Sequence, residues 1–540
     1  MTHRTARDIL LLLALCALLF FPGAAFRGLA GMEFRTALFV REILARGPSL
    51  IPRLDGLPYF DYPPLYFLAA ALASRLLGSI TPLSLALPSI LAAAGTVLLA
   101  YRMAAGERPG AALRAGAALA LTPLFFSCAS RGIVDPMLAF FTTLTIAGCR
   151  RRISTGRKRW LAAACLGLAG GTLTKGPVGA ALPIGAVSLW LLAGRRVRPL
   201  LRLLLPLGIF LAALLLAFIS AAGGAAAIRP LLEAQFLDRF ADEANAPPHY
   251  YLLVFLAGFA PWSLFACAPL LASAGRAFRG DGGERRRPGP LYASWFLSAL
   301  AILTAARIKH SRYLLPAAPP IAVLAAFFWD GLRADAAHGA AAALAAWTRR
   351  ACLAALAAGA AALAVAPLFI PVSSAALACL LPPACLLPLA VRPLRRVGGA
   401  DGAFILIAWT LSAGLLAFDQ FDGPRTAARE EARPFVHAVE RAAAGRRIVF
   451  HGVDKDSDGL KFRWWRTGAS PLSFTDSLPD LRAALASPAI LVVPSASRGA
   501  VERELGPRLR PLHEGALGRR RCAVFDLPVT GGPPGPPVRK

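Results

Sequence analysis

Apolar runs long enough to cross a bilayer recur along most of this chain, separated by short loops rich in arginine. A backbone in hydrocarbon must satisfy its own hydrogen bonds, so such runs fold as helices. Composition agrees, since 56% of the 540 residues are hydrophobic and 16% are charged, with a mean hydropathy of +0.57. An ordinary soluble protein is excluded. In a soluble chain the formal charge of +29 would suggest a nucleic-acid partner. Here the arginines concentrate between apolar runs, which is a mark of topology and implies no nucleic acid. The nine cysteines are scattered. Cys16, Cys128, Cys149, Cys165, Cys267 and Cys379 fall inside apolar runs without metal-ligand spacing, so they read as small core residues.

The N-terminal MTHRTARDILLLLALCALLFFPGAAF has the basic-then-apolar layout of a signal peptide, but many further spans follow and it reads as an uncleaved first span. With Arg4 and Arg7 in the cytoplasm, residues 27–81 face outward. Further spans are expected near 82–102, 112–129, 135–149, 160–174, 177–193, 200–222, 250–273, 290–306, 313–330, 347–370, 374–391 and 402–418, about thirteen in all. Charge decides the ambiguous 65–79 run. If it stays out of the bilayer, Arg102, Arg108, Arg114 and the basic runs at 151–159, 194–202, 276–287 and 391–396 all become cytoplasmic. It is therefore expected as a juxtamembrane helix. The tail from 419 to 540 then lies outside. Strand-like runs at 446–452, 489–496 and 522–528 alternate there with helical stretches at 426–443 and 478–486, predicting a small α/β domain that ends in a disordered TGGPPGPPVRK. The run HGVDKDSDG at 451–459 looks like a calcium loop, but its spacing does not complete one and it reads as a turn. The chain has no GxxxxGK[ST], no GxGxxG after a strand and no HExxH.

This topology gathers the unusual polar residues on the outer face. Between Gly31 and Pro64 lies an amphipathic helix with Arg35, Arg41 and Glu42 on one side and Phe34, Leu38, Phe39 and Ile43 on the other, suited to a membrane surface. The turn Tyr59, Phe60, Asp61, Tyr62, Pro63, Pro64 follows. Asp61 and Asp135 are carboxylates at membrane boundaries, where charge is expensive and suggests function, and either could be a general base. Asp135 equally suits a helix N-cap with Pro136 in the first helical position. The chain uses only six lysines, and two of them, Lys175 and Lys309, sit at outer span ends. They could bind phosphate as point charges or snorkel to the interface. Lys and Arg together could hold a phosphate leaving group that stays in the lipid.

Five stretches in order, GMEFRTALFVREILARGPSLIPRLDGLPYFDYPPLYF (31–67), RGIVDPMLAFF (131–141), GGTLTKGPVGAALP (170–183), HYYLLVFLAGFAPWSL (249–264) and RIKHSRYLLPAAPPIAVL (307–324), resemble the lipid-carrier-dependent glycosyltransferases. That family includes the 4-amino-4-deoxy-L-arabinose lipid A transferases and, more distantly, the protein O-mannosyltransferases. The resemblance covers residues 10–330 and is specific as a set. It implies an all-α polytopic membrane protein of the GT-C type, whose multi-span domain is placed over 1–418, while the periplasmic α/β domain expected over 419–540 rests on the chain's own pattern and topology. It also implies an inverting transfer from a polyprenyl-phosphate sugar donor to lipid A, another glycan or protein, at the outer face of a bacterial inner membrane. No cofactor is implied beyond a divalent cation, whose need is left open. Position by position, the resemblance makes Asp135 the catalytic-base candidate, with Glu33 and Asp61 as further acids. Lys309, Arg312, Tyr313 and Arg239 match carrier-phosphate segments, Lys175 joins them, and Arg35, Tyr59 and Tyr62 belong to the substrate loop. Three departures stand out: Met32 takes the place of the family's first acid, Asp61 that of a usual Glu, and Tyr62 that of a phosphate-contacting Lys. A thioether can neither take a proton nor ligate a hard cation as a carboxylate does. The competing reading is a transport or non-catalytic envelope protein. Its mid-span positions should then carry polar groups, whereas here they are mainly Ala, Leu and Gly.

Overall fold

A computed structural model of the chain describes residues 3–25, 27–233, 246–278, 289–334, 339–369, 399–485, 487–505 and 511–527. The chain divides into two compact units, one taking Met1–Phe26 and Phe39–Gly423, the other Arg27–Leu38 and Pro424–Lys540. In chain order, α1 (His3–Ala25), α2 (Glu33–Arg46) and α3 (Leu65–Leu76) precede α4 (Pro82–Ala105). Short α5 (Ala112–Ala120) and α6 (Pro123–Ala129) lead to α7 (Asp135–Thr155), α8 (Lys158–Lys175), α9 (Pro177–Ala193) and α10 (Val197–Ala221).

Among the described residues, five helices are long and apolar enough to cross a membrane: α1, α4, α10, Ser311–Arg333 and Gly399–Asp419. Two bent pairs raise that to seven. The expected spans 112–129 and 250–273 are those pairs, bent by 62° between Pro109–Ala120 and Pro123–Ala129 and by 119° between Tyr250–Gly258 and Trp262–Arg276. Proline accounts for both breaks. Pro123 and Pro261 lack the N–H that would continue a helix and disfavour helical backbone at the preceding residue. The expected span 374–391 lies outside the described residues. The 65–79 run forms the 12-residue apolar α3.

α7 and α8 form an antiparallel hairpin that turns at Gly156, whose φ of 69° closes α7. Small residues let the two backbones touch. A Cβ on Gly167 would come within 2.7 Å of the Thr145 backbone nitrogen, and one on Gly148 within 2.8 Å of the Ala164 nitrogen. The first residue of α7 therefore lies level with the last residue of α8. Toward the other end of α7, about 22 Å away at the rise of an α-helix, Arg150 pairs with Glu107 at 2.6 Å. Glu107 also accepts a hydrogen bond from Tyr292 at 3.0 Å. Burial pushes the Glu107 carboxyl above its ordinary range, against the opposing pull of Arg150.

The second unit holds a five-stranded mixed sheet. Its strands, following the short β1 (Arg53–Leu54) and β2 (Leu57–Pro58) of the first unit, are β3 (Arg447–His451), β4 (Leu472–Thr475), β5 (Ala489–Pro494), β6 (His513–Leu517) and β7 (Arg520–Leu527), in the order β4-β3-β5-β7-β6. β3 runs parallel to β4 and β5, while β7 runs antiparallel to β5 and β6. Alternate residues of the central strands feed two cores. Ile448, Phe450, Ile490, Val492, Cys522 and Val524 pack with Phe435, Val436 and Val439 of helix Arg433–Ala443. Val449, Leu491, Val493, Ala523 and Phe525 pack on the other face with Leu481 and Val501. Helix Gly399–Glu430 runs unbroken through position 418, where the sequence suggests a boundary, and a two-residue break then separates it from Arg433–Ala443.

Burial pushes the Cys522 thiol up to about 12, with Asp458 adding to the effect. The reactive form is the thiolate. Alkylation near pH 8, read by peptide mass spectrometry, is therefore expected to spare Cys522 in the folded protein and to modify it fully once denaturant opens the sheet.

Candidate active site

The hairpin geometry decides where Asp135 goes. Val134 occupies the N-cap position of α7 and makes no side-chain cap, so the Asp135 carboxylate is not a helix cap. It points instead to the end of α8, where its Oδ1 accepts from Lys175 Nζ. Its Oδ2 lies 3.5 Å from Arg312 Nε. Asp135 is 1% exposed and Lys175 4%. The segment Ser311–Ala317, which packs against α7, brings Tyr313 to the same place. The Lys175 ammonium stands 3.9 Å from the Tyr313 ring centroid and the Arg312 guanidinium 5.3 Å, each a cation resting on an aromatic face. His310 meets the Tyr313 ring edge-on at 5.1 Å.

Four of the residues singled out in the sequence thus meet: Asp135, Lys175, Arg312 and Tyr313. Together their side chains carry two positive charges and one negative. Buried ion pairs are costly to desolvate and are kept in a membrane interior where they serve a function. The guanidinium and ammonium are the two side chains suited to phosphate, one by its planar fork and the other as a compact charge.

An apolar cavity of about 450 Å³ takes in the residue that follows Lys175. Its walls include Tyr59, Phe60, Tyr62 and Pro63 of the loop before α3, Thr172, Gly176 and Pro177 at the α8–α9 junction, and Leu211, Leu214 and Phe218 of α10. Gly176 follows Lys175 directly, so charge cluster and cavity share one junction. Tyr59 is fixed by its N–H donating to the Pro52 carbonyl at 2.8 Å and by its ring 5.2 Å from Phe39. Tyr62 stacks edge-on to Phe67 at 6.2 Å. Asp61 is half-buried in the same turn.

Lys309 is buried and donates to the Ala306 carbonyl at 2.7 Å. Glu33 and Arg35 belong to the second unit. Glu33 is fully buried, and both its oxygens accept from Arg27, at 2.6 Å between Nη2 and Oε1. Arg35 is 8% exposed, so the polar stripe expected to face water on α2 is partly interior. Arg239 lies outside the described residues. Among the described residues no group of three His, Cys, Asp or Glu side chains converges on a metal position. The donors around Asp135 are an ammonium and a guanidinium, which repel a divalent cation. Sequence reasoning missed Arg27, and it missed Tyr251, fully buried on the helix that packs against Ser311–Ala317. The Tyr-Tyr pair at 250–251 was the available signal.

Residues 40–223 match the family model of dolichyl-phosphate-mannose-protein mannosyltransferase. The undecaprenyl phosphate-alpha-4-amino-4-deoxy-L-arabinose arabinosyl transferase of Pectobacterium carotovorum is 30% identical over 318 residues, covering 56% of this chain and 55% of that one. The protein of the same name from Pseudomonas aeruginosa is 29% identical over 303 residues, 54% of each. The chain spans about half the length of the curated relatives it matches. Among solved structures, ArnT from Cupriavidus metallidurans bound to undecaprenyl phosphate aligns with a TM-score of 0.69 at 18% identity, over 98% of this chain and 99% of that one. The apo form of that protein aligns at 0.67 and 16% identity, over 98% of this chain and 100% of that one. The chain has the polytopic membrane fold of ArnT.

Breaking a buried ion pair from one side leaves the other charge uncompensated, typically at a cost of about 3–5 kcal/mol. Lys175→Met is therefore expected to lower the unfolding temperature in detergent markedly. The double variant Asp135→Asn/Lys175→Met should recover part of that loss, measured by thermal unfolding of the purified full chain.

Proposed function

We propose that the chain is a GT-C glycosyltransferase that takes a sugar from a polyprenyl-phosphate carrier and passes it, with inversion, to an envelope acceptor. The observation that carries the reading is the buried Lys175, joined with half-buried Arg312 on the Asp135 carboxylate, one residue before an apolar cavity begins at Gly176. A polyprenyl phosphate needs that combination, an anion site continuous with an apolar slot. The arabinosyl transferases named above supply the donor class by analogy, and the acceptor falls among lipid A, another glycan and protein. In this reading the reaction runs at the outer face of the inner membrane, about thirteen spans cross it, and residues 419–540 lie in the periplasm.

The chemistry follows from the cluster. The acceptor oxygen attacks the anomeric carbon, and the bond from that carbon to the carrier phosphate breaks. The polyprenyl phosphate leaves as an anion that Lys175 and Arg312 stabilise through charge-assisted hydrogen bonds. Asp135 plays two parts in turn. Before the donor arrives it aligns both cations and offsets their charge. Once a phosphate competes for Lys175 and Arg312, their hold on the carboxylate loosens and an oxygen is released to take the acceptor proton. A phosphate acceptor that is already anionic needs no such proton transfer. Tyr313 presents its ring face to both cations and limits where they can move. Tyr59 and Tyr62 close the cavity beside the reacting end of the donor.

Mass spectra of envelope lipids and lipid A from cells with and without the protein test this directly. A mass difference of one aminopentose or hexose on lipid A is expected if lipid A is the acceptor. Accumulation of polyprenyl-phosphate sugar without that difference moves the acceptor to glycan or protein, and no change in either pool overturns the transferase. With the purified enzyme, Asp135→Asn should abolish transfer of a hydroxyl-borne acceptor by about 10²- to 10⁴-fold. Lys175→Ala or Arg312→Ala should cost about 10²- to 10³-fold in kcat.

A further inference from the structure

The acidic turn that follows β3 has a role the transferase reading does not use. Its three aspartates each do a different job. Asp454 Oδ1 accepts from the Asp456 N–H at 2.8 Å, and the Asp454 carbonyl accepts from Gly459 N–H at 2.9 Å, so the turn closes on itself. Asp458 is buried, 2.9 Å from Lys461 Nζ and 3.0 Å from Arg520 Nε. Lys461 in turn reaches Glu430 at 2.6 Å, and Arg519 reaches Glu430 at 2.8 Å. That network ties the turn to the end of helix Gly399–Glu430 and to the β6–β7 hairpin.

Asp456, at the turn's outer bend, receives Arg35. The Arg35 Nη2 donates to the Asp456 carbonyl at 3.3 Å and stands 3.6 Å from its Oδ1. The segment carrying Arg35 is held to the same unit at a second place. Gly28 lies against Ala427, where an added Cβ would come within 2.9 Å of the Ala427 Cβ. Between those two contacts the Arg27–Glu33 pair, with Ala30 N–H donating to Glu33 at 3.1 Å, sets the shape of the segment. Residues 27–38 are thus built into the C-terminal unit, and they lead straight into the rest of α2.

We propose that the turn 454–458 is a positioning element of the transferase, in which Asp456 fixes Arg35 and thereby the first turn of α2 that opens the outer substrate loop. This rests on the transferase reading for its catalytic half. Asp456 is a positioning residue: it acts through Arg35.

The test compares Asp456→Ala and Asp456→Glu with wild type in the purified full-length chain. Two readouts are taken, amide hydrogen exchange over residues 28–38 and sugar transfer resolved into kcat and KM for the donor. A partly exposed ion pair that aligns a loop is expected to cost about three- to tenfold in kcat on Asp456→Ala. Donor KM and the unfolding temperature should stay unchanged, exchange over 28–38 should rise, and Asp456→Glu should restore both. Unchanged exchange in Asp456→Ala overturns the positioning role whatever the activity does. Raised exchange with full kcat shows the segment held but irrelevant to the reaction, and overturns the proposal as well. Absence of transfer by the wild-type chain with every carrier-linked sugar overturns the transferase reading and the catalytic half with it, while the exchange comparison still decides the anchoring.

Discussion

The close approach of α7 and α8 is the constraint on which the site depends. Their backbones meet through Gly148 and Gly167, and a methyl group at either position would drive the helices apart. Because the hairpin is tight, the first residue of one helix and the last of the other come level, and Asp135 meets Lys175. The dependence runs both ways. Two charges buried at helix ends cost several kcal/mol each unless they find one another, so the pair is tolerable only in a hairpin this narrow. Ser311–Ala317 then adds Arg312 and Tyr313 to a position already fixed.

Other ion pairs join helices elsewhere in the helical unit. Near the far end of α7, Glu107 meets Arg150 and the pair is neutral. Arg114 bridges Asp330 and Asp401, and Arg333 reaches Asp401, again two cations for two anions. Such sets staple helices together and need nothing more. In the Asp135 cluster one carboxylate meets both an ammonium and a guanidinium, the two groups the proposed reaction uses to hold a carrier phosphate.

The sequence named the members of the site better than their arrangement. Asp135 and Lys175 were visible by type and place, and Arg312 and Tyr313 through the family resemblance. Lysine is so rare in this chain that Lys175 stood out. Their meeting was not legible, because it depends on tertiary packing between residues far apart in sequence. Asp135 read equally as a helix cap because sequence cannot tell that Val134 takes the cap position. In the C-terminal unit, the central strands announced themselves as apolar runs buried on both faces. β4 and β6 did not, and their place explains it. They are the two edges of the sheet, mostly half-buried or exposed, and so carry little apolar alternation. The breaks at Pro123 and Pro261 were legible in principle, since proline ends helices. The apolar runs around them outweighed that signal.

The same logic bears on Met32, which stands where the related transferases carry an acid. The neighbouring Glu33 is fully buried and gripped at both oxygens by Arg27. Asp135 is held by the two cations that a carrier phosphate would itself recruit. In the proposed reaction Asp135 is the carboxylate that the arriving carrier phosphate releases. On that reading the acid at position 32 is dispensable for proton transfer, while Arg27 and Asp456 hold the first turn of α2.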